Sequence, residues 1–141
     1  MFVHTRTITI EWGDCDPAGI VFYPRYFAMF DASTAALFAA ALGYNKHAML
    51  ARFDVIGFPM VDTGARFLVP SKFGDVVTIE STVTRFGRSS FEIGHRLMRG
   101  DVLAIEAHEK RVWAAQDSEQ PGKIKGVPIP DDVIAALTSS N

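Results

Sequence analysis

The sequence predicts an α+β domain in which one long central helix is wrapped by a strongly curved antiparallel sheet. Three observations carry that expectation. The stretch from Pro24 to Leu42 is apolar almost all round. A segment before it and four after it alternate with a period of two, the pattern of half-buried strands. A helix without a wide polar face needs cover on every side, which flat neighbours cannot supply and a curved sheet can.

Each element has its own warrant. Arg6, Ile8, Ile10 and Trp12 alternate with Thr5, Thr7, Thr9 and Glu11, and Gly13 ends that strand. Pro24 suits the first helical position and Gly43 the residue just past the last one. Between them Phe27, Phe30, Leu37, Phe38, Leu42 and many alanines leave no broad polar stripe. A shorter helix is expected around Asn45 to Arg52. From Val55 the pattern turns to strands: Val77, Ile79 and Val83 alternate with Thr78, Glu80, Thr82 and Thr84. Phe91, Ile93 and Leu97 share one face of the next run, where His95 reads as a core histidine. Leu103, Ile105 and Ala107 lead a long strand toward Trp113. Pro70 to Gly74, Gly87 to Ser89 and Arg99 to Asp101 read as turns. Gln120 to Pro130 reads as a plain surface loop, and Asp131 to Leu137 as a short closing helix. The exposed edge of such a sheet invites pairing with a second subunit.

Composition narrows the class. The 141 residues suit a single domain spanning 1–141, large enough to fold without a disulfide or a metal. A net charge of −2 gives no general attraction to nucleic acid or to an anionic membrane. The lone Cys15 excludes an internal disulfide and fits a reducing cytoplasm. The opening residues Met1 to Arg6 lack the layout of a secretory leader. Arg25, Asp31, Ser33 and Thr34 make the apolar stretch a poor membrane span and a better buried helix.

The run Gly13-Asp14-Cys15-Asp16-Pro17-Ala18-Gly19-Ile20-Val21-Phe22-Tyr23-Pro24 concentrates the chemistry. Two carboxylates occupy a Pro/Gly turn that leads into the positive end of the long helix. A carboxylate there is suited to attack on a carbonyl whose oxygen the helix stabilises. A loop with a capping Asp is the plainer reading. A calcium loop fails, because Ala18 and Arg25 stand where an EF-hand needs ligands. A phosphatase of the Asp-x-Asp type needs alternating strands and helices, which this chain lacks. The flanking Asp14 and Asp16 disfavour a Cys15 thiolate, leaving Cys15 as packing. His4, His47, His95 and His108 have no metal-pair spacing. Asp31, inside the apolar helix, is either hydrogen-bonded or lines a cavity. Arg85 and Arg88 flank a hairpin turn and could hold a phosphate, or be solvated tips.

Residues Asp14 to Pro24, with Asp31-Ala32-Ser33 downstream, closely resemble the hot-dog fold acyl-CoA thioesterases of the 4-hydroxybenzoyl-CoA type. The resemblance continues through Pro59-Met60-Val61, Gly74-Asp75-Val76-Val77-Thr78-Ile79-Glu80 and Ser90-Phe91, reaching about Trp113. It implies a helix wrapped by a five-stranded antiparallel sheet, dimers that assemble into tetramers, and active sites at the subunit boundary. By position Asp16 is the catalytic carboxylate and the Tyr23 backbone N–H holds the thioester oxygen. No cofactor or metal is implied. Asp31, Phe58, Pro59, Arg85 and Arg88 are the expected substrate contacts.

Two departures matter. Members specific for 4-hydroxybenzoyl carry a consecutive basic cluster where this chain has Gly87-Arg88-Ser89, which leaves a carrier-protein thioester as an alternative to CoA. Phe58 replaces a polar residue, so a less polar aryl or an aliphatic acyl group is equally compatible. A non-catalytic acyl-CoA binding module is the alternative from another class, but it has little reason to keep a carboxylate at the helix start.

Overall fold

The computed structural model describes residues 1–141. Strand β1 is Val3–Thr9, followed by a short turn of 3-10 helix at Trp12–Asp14 and helix α1 at Tyr23–Leu42. Helix α2, Lys46–Phe53, precedes strands β2 (Met60–Phe67), β3 (Val76–Phe86), β4 (Ser90–Arg99) and β5 (Val102–Val112). A small hairpin of β6 (Ala114–Gln116) and β7 (Ile124–Gly126) and helix α3 (Asp131–Thr138) complete the chain. The five long strands form one antiparallel sheet in the order β1-β3-β4-β5-β2. This is the hot-dog architecture. Register shifts at Met60/Asp62, Val83/Arg85 and Leu97/Met98 supply bends that let the sheet curve around α1.

Helix α1 begins at Tyr23 with Pro24 in its first turn, where a missing N–H costs nothing. Gly43 ends it at φ 85°, and its N–H bonds the Ala39 carbonyl. That left-handed conformation favours glycine.

Two expectations are corrected. The helix is not enclosed within the single chain. Tyr26, Phe30, Ser33, Thr34, Leu37 and Phe38 are buried against the sheet, while Arg25, Ala28, Asp31, Ala32 and Ala40 are exposed. Alanine is apolar in composition but adds little apolar area, so an alanine-lined open face is hard to tell from a buried one. The 120–130 segment is not a plain loop either: β7 pairs with β6, and the Ile129 N–H bonds the Arg88 carbonyl. The β-structure therefore braces the β3–β4 hairpin from behind.

The core falls into two apolar clusters. One, around Tyr26, Phe30, Ile79, Leu97 and Ile105, lies toward the start of α1. The other, around Leu37, Phe38, Phe91, Ile93 and Trp113, lies toward its end and is closed by Val133 and Leu137 of α3. Between them runs a layer of buried polar side chains, Ser33 and Thr34 on α1, Ser81 on β3, His95 on β4 and Glu109 on β5. No single helix is long and apolar enough to cross a membrane.

Phe38 is 1% exposed and its ring stands 4.9 Å from Phe58 and 5.3 Å from Phe91. Phe38→Ala is expected to destabilise the fold by about 3–5 kcal/mol in chemical denaturation, with the denaturant slope unchanged.

Candidate active site

The acidic turn folds back on itself immediately before α1. Cys15 bridges Val21 as an antiparallel pair, the Asp16 N–H bonds the Ile20 carbonyl at 3.0 Å, and the Phe22 N–H bonds the Asp14 carbonyl at 2.8 Å. Residues 14–16 thus lie beside 20–22, at the mouth of the helix. The two carboxylates have different duties. Asp14 Oδ2 accepts the Glu11 N–H at 2.9 Å in a reciprocal cap on the 3-10 turn, a structural role. Asp16 Oδ1 accepts the Ala18 N–H at 2.9 Å, which sets the side chain but leaves Oδ2 without a partner in the chain.

Helix α1 starts without a side-chain cap, since Phe22 has no acceptor to offer. The N–H of Tyr23 precedes the first intrahelical hydrogen bond, so it is open to a ligand oxygen beside the positive end of the helix. Next to it is an apolar hollow of about 260 Å³ lined by Ile20, Val21, Tyr23, Tyr26, Phe67 and Val69. Exposed aromatic rings surround its rim, Tyr23 standing 6.3 Å from Phe67.

The other expected contacts lie elsewhere. Asp31 is two turns along α1, roughly 12 Å from Tyr23 at 1.5 Å per residue, and its Oδ1 pairs with Arg111 Nη2 at 2.7 Å. Pro59 is exposed at the start of β2. Phe58 is corrected from pocket wall to core: its ring is 3% exposed, packed between Phe38 and Phe91. Lys46 Nζ lies 4.2 Å above it and the Arg111 guanidinium 5.3 Å away. Arg85 and Arg88 are exposed at the far end of β3, Arg85 facing Glu92 at 4.0 Å. Asp75, which bonds Ile10 at the Asp16 end, is ten residues of strand from Arg85, roughly 30 Å. Within one chain, Asp16 and Tyr23 are together, Asp31, Phe58 and Pro59 are together, and the arginines join neither group.

A buried polar network, not anticipated above, ties the second group together. Glu109 Oε1 accepts from Thr34 Oγ1 at 2.5 Å and from Arg111 Nε at 3.0 Å, and Oε2 from Arg111 Nη2 at 3.2 Å. His95 Nε2 lies 3.5 Å from Glu109, and its Nδ1 lies 2.7 Å from Ser81 Oγ. Its ring stacks on Phe30 at 5.0 Å. Burial alone pushes the Glu109 carboxyl up, but hydrogen bonds from His95, Arg111 and Thr34 outweigh it and hold the value at about 2. Burial likewise works against the Arg111 charge, yet Glu109 and Asp31 raise its pKa. The sequence signal was available: Glu109 and Arg111 share the inward parity of Ile105, Ala107 and Trp113.

With this geometry in view, comparison with known proteins identifies the class. A model of the thioesterase-like superfamily matches residues 10–137, and the chain belongs to that superfamily. It is a hydrolase of the thioesterase class. The 4-hydroxybenzoyl-CoA thioesterase of Pseudomonas sp. (strain CBS-3) is 36% identical over 139 residues, covering 92% of this chain and 96% of that one. An Asp-to-Asn mutant of 4-hydroxybenzoyl-CoA thioesterase, solved in complex with 4-hydroxybenzoyl-CoA, superposes with a TM-score of 0.87 at 30% identity, over 96% of this chain and 99% of the other. A gentisyl-coenzyme A thioesterase gives 0.79 at 29% identity, over 96% and 100%.

Removing the Glu109 charge should leave Arg111 poorly compensated in the core. Glu109→Gln is expected to cost about 3–5 kcal/mol at neutral pH. The folded pKa of about 2 lies below the ordinary carboxyl value of 4.5. The charge therefore stabilises the fold above pH 4.5, and that stability is lost as pH falls toward 2. Urea titrations should show the gap between wild type and variant narrowing over that interval.

Proposed function

We propose that this chain hydrolyses an aryl-CoA thioester, 4-hydroxybenzoyl-CoA or a close analogue, to the carboxylate and CoA. The observation that carries this reading is the half-free Asp16 carboxylate held beside the uncapped start of α1. The likeness to relatives named for aryl-CoA hydrolysis supports it.

The thioester carbonyl oxygen accepts the Tyr23 N–H, and the aligned peptide dipoles of α1 favour the negative charge that develops on it. Asp16 Oδ2 then acts in one of two ways. As a nucleophile it bonds to the carbonyl carbon, the C–S bond breaks, CoA leaves as thiolate, and water opens the resulting acyl-aspartyl anhydride. As a general base it takes a proton from water while the water oxygen attacks. Thiolate is a good leaving group, so neither route requires a strong general acid. No cofactor or metal enters either route.

The separation of the two residue groups favours a site shared between subunits. Strand β2 is a free sheet edge carrying exposed Met60, Val61 and Phe67. Two-fold antiparallel pairing of β2 with its copy sets the Met60 end of one strand beside the Phe67 end of the other. Asp16, Tyr23 and the apolar hollow then face the partner's Asp31 and the partner's Pro59, with the partner's Phe58 beneath them. The partner's Arg85 and the partner's Arg88 come to the same end, where CoA phosphates would lie. A homodimer is the minimal active unit, and two such dimers make the expected homotetramer. A reducing cytoplasm suits the unpaired Cys15.

Thiol release from aryl, phenylacetyl, short aliphatic and carrier-protein thioesters tests the substrate class. Aryl-CoA turnover is expected to lead. Aliphatic or carrier-protein turnover would keep the chemistry and replace the substrate, and binding without turnover would favour a non-catalytic module. Asp16→Asn is expected to reduce kcat by about 10²–10⁴-fold with an unchanged melting profile; full activity in that variant would exclude the mechanism. Sedimentation should give a dimer or a multiple of it, and a monomer with full activity would exclude the shared site.

A further inference from the structure

We propose that Arg111 is a positioning residue for acyl selection. It fixes Asp31 as a hydrogen-bond acceptor, so that acyl groups bearing a neutral O–H or N–H donor at their far end are preferred over those without one. This inference rests on the thioesterase reading above and adds a residue through which that site selects.

The guanidinium of Arg111 has almost no freedom. Its side chain is 5% exposed, and Glu109 grips Nε at 3.0 Å and Nη2 at 3.2 Å in a two-pronged pair that sets the guanidinium plane. Glu109 is held in turn by Thr34 and His95, and His95 by Ser81, so the plane is referenced to α1, β3, β4 and β5 together. Nη1 donates to the Phe58 carbonyl at 3.1 Å, which pins the segment leading into Pro59. The remaining contact leaves the core: Nη2 donates to Asp31 Oδ1 at 2.7 Å.

Asp31 is treated differently from its neighbours. Its side chain is 64% exposed, on the open face of α1, and Oδ2 has no partner in the chain. A carboxylate gripped at one oxygen and open at the other accepts a donor in one direction. It offers nothing to a bare ring edge and repels an anionic acyl end. Glu109 already balances the Arg111 charge inside the core, so reaching out to a 64% exposed carboxylate adds little further stability. Lysine cannot replace the arginine here, because a point charge can hold Glu109 or Asp31 but cannot fix the angle between them.

The test compares kcat/KM for 4-hydroxybenzoyl-CoA and benzoyl-CoA, which differ by one donor. The wild type should prefer the hydroxylated thioester. Arg111→Lys should reduce that preference about tenfold, the scale of one hydrogen bond to a charged acceptor, chiefly through KM for the hydroxylated substrate. Because Arg111 acts through Asp31, adding Arg111→Lys to Asp31→Ala should lower the preference no further. If Arg111→Lys does not fold by circular dichroism, Asp31→Glu, an exposed change that moves the carboxylate off the fixed guanidinium without opening the core, should shift the ratio in the same direction. Equal losses on both substrates would make Arg111 merely structural and overturn the inference, while the thioesterase reading stands. A wild type that turns over neither thioester would remove the aryl-CoA reading and this inference with it.

Discussion

The buried carboxylate of Glu109 is the constraint around which the rest of the interior is arranged. A charge 1% exposed in a chain of this size is tolerable only with several donors, and they come from three directions. Thr34 supplies one from the helix, Arg111 two from the same strand, and His95 stands on the neighbouring strand. These contacts fix the rotation of α1 about its axis, because a turn of one residue would remove Thr34 from reach. They also fix the register of β4 against β5, where His95 pairs with Ala107 and Glu109 with Ile93. A core of leucine and phenylalanine alone tolerates small slips; this polar layer does not.

That arrangement explains why the apolar core is in two parts. Along α1 and the three inner strands the buried residues run apolar, polar, apolar: Phe30, Thr34, Phe38 on α1; Ile79, Ser81, Val83 on β3; Leu97, His95, Ile93 on β4; and Ala107, then Glu109 and Arg111, on β5, with Trp113 just past its end. The cluster near the helix start supports the acidic turn and the open Tyr23 N–H. The cluster near the helix end supports Phe58 and the β3–β4 hairpin, with β7 and α3 packed behind it. The two ends of the molecule are thus stabilised separately and meet at the polar layer.

Much of this was legible in the residues. Period-two alternation located β3, β4 and β5 because each has one face against a helix and one against solvent, which is the condition for that signal. Pro24 and Gly43 bracketed α1 because both act locally. The open alanine face of α1 was not legible, since alanine carries the same mark on either side of a surface. The β6–β7 pair was missed because three-residue strands are too short to show a period. In the candidate site, the closeness of Asp16 to Tyr23 was visible because sequence-adjacent turn and helix form one local unit. The link from Asp31 to Arg111 crosses 80 residues, and only the inward parity of Glu109 and Arg111 hinted at it. Phe58 was expected near the acyl group by resemblance alone, from a position where relatives carry a polar residue; an aromatic ring there packs into the core instead, between Phe38 and Phe91.

The two carboxylates assigned to the proposed site illustrate how one chemical group is held differently by its surroundings. Asp16 is bonded only by a backbone N–H two residues away, so nothing cationic in its own chain competes for its lone pairs. That is what a nucleophile or base requires, because a carboxylate tightly paired with arginine is a poor attacker of carbonyl carbon. Asp31 has the opposite treatment, one oxygen clamped by an immobile guanidinium and the other left open. Such a group is a well-aimed acceptor. Within one chain Asp31 lies roughly 12 Å along α1 from Tyr23, so its guanidinium partner stands apart from the Asp16 turn. Under the proposed pairing of the free β2 edge, the open Asp31 oxygen rather than the buried guanidinium would face the partner's Asp16.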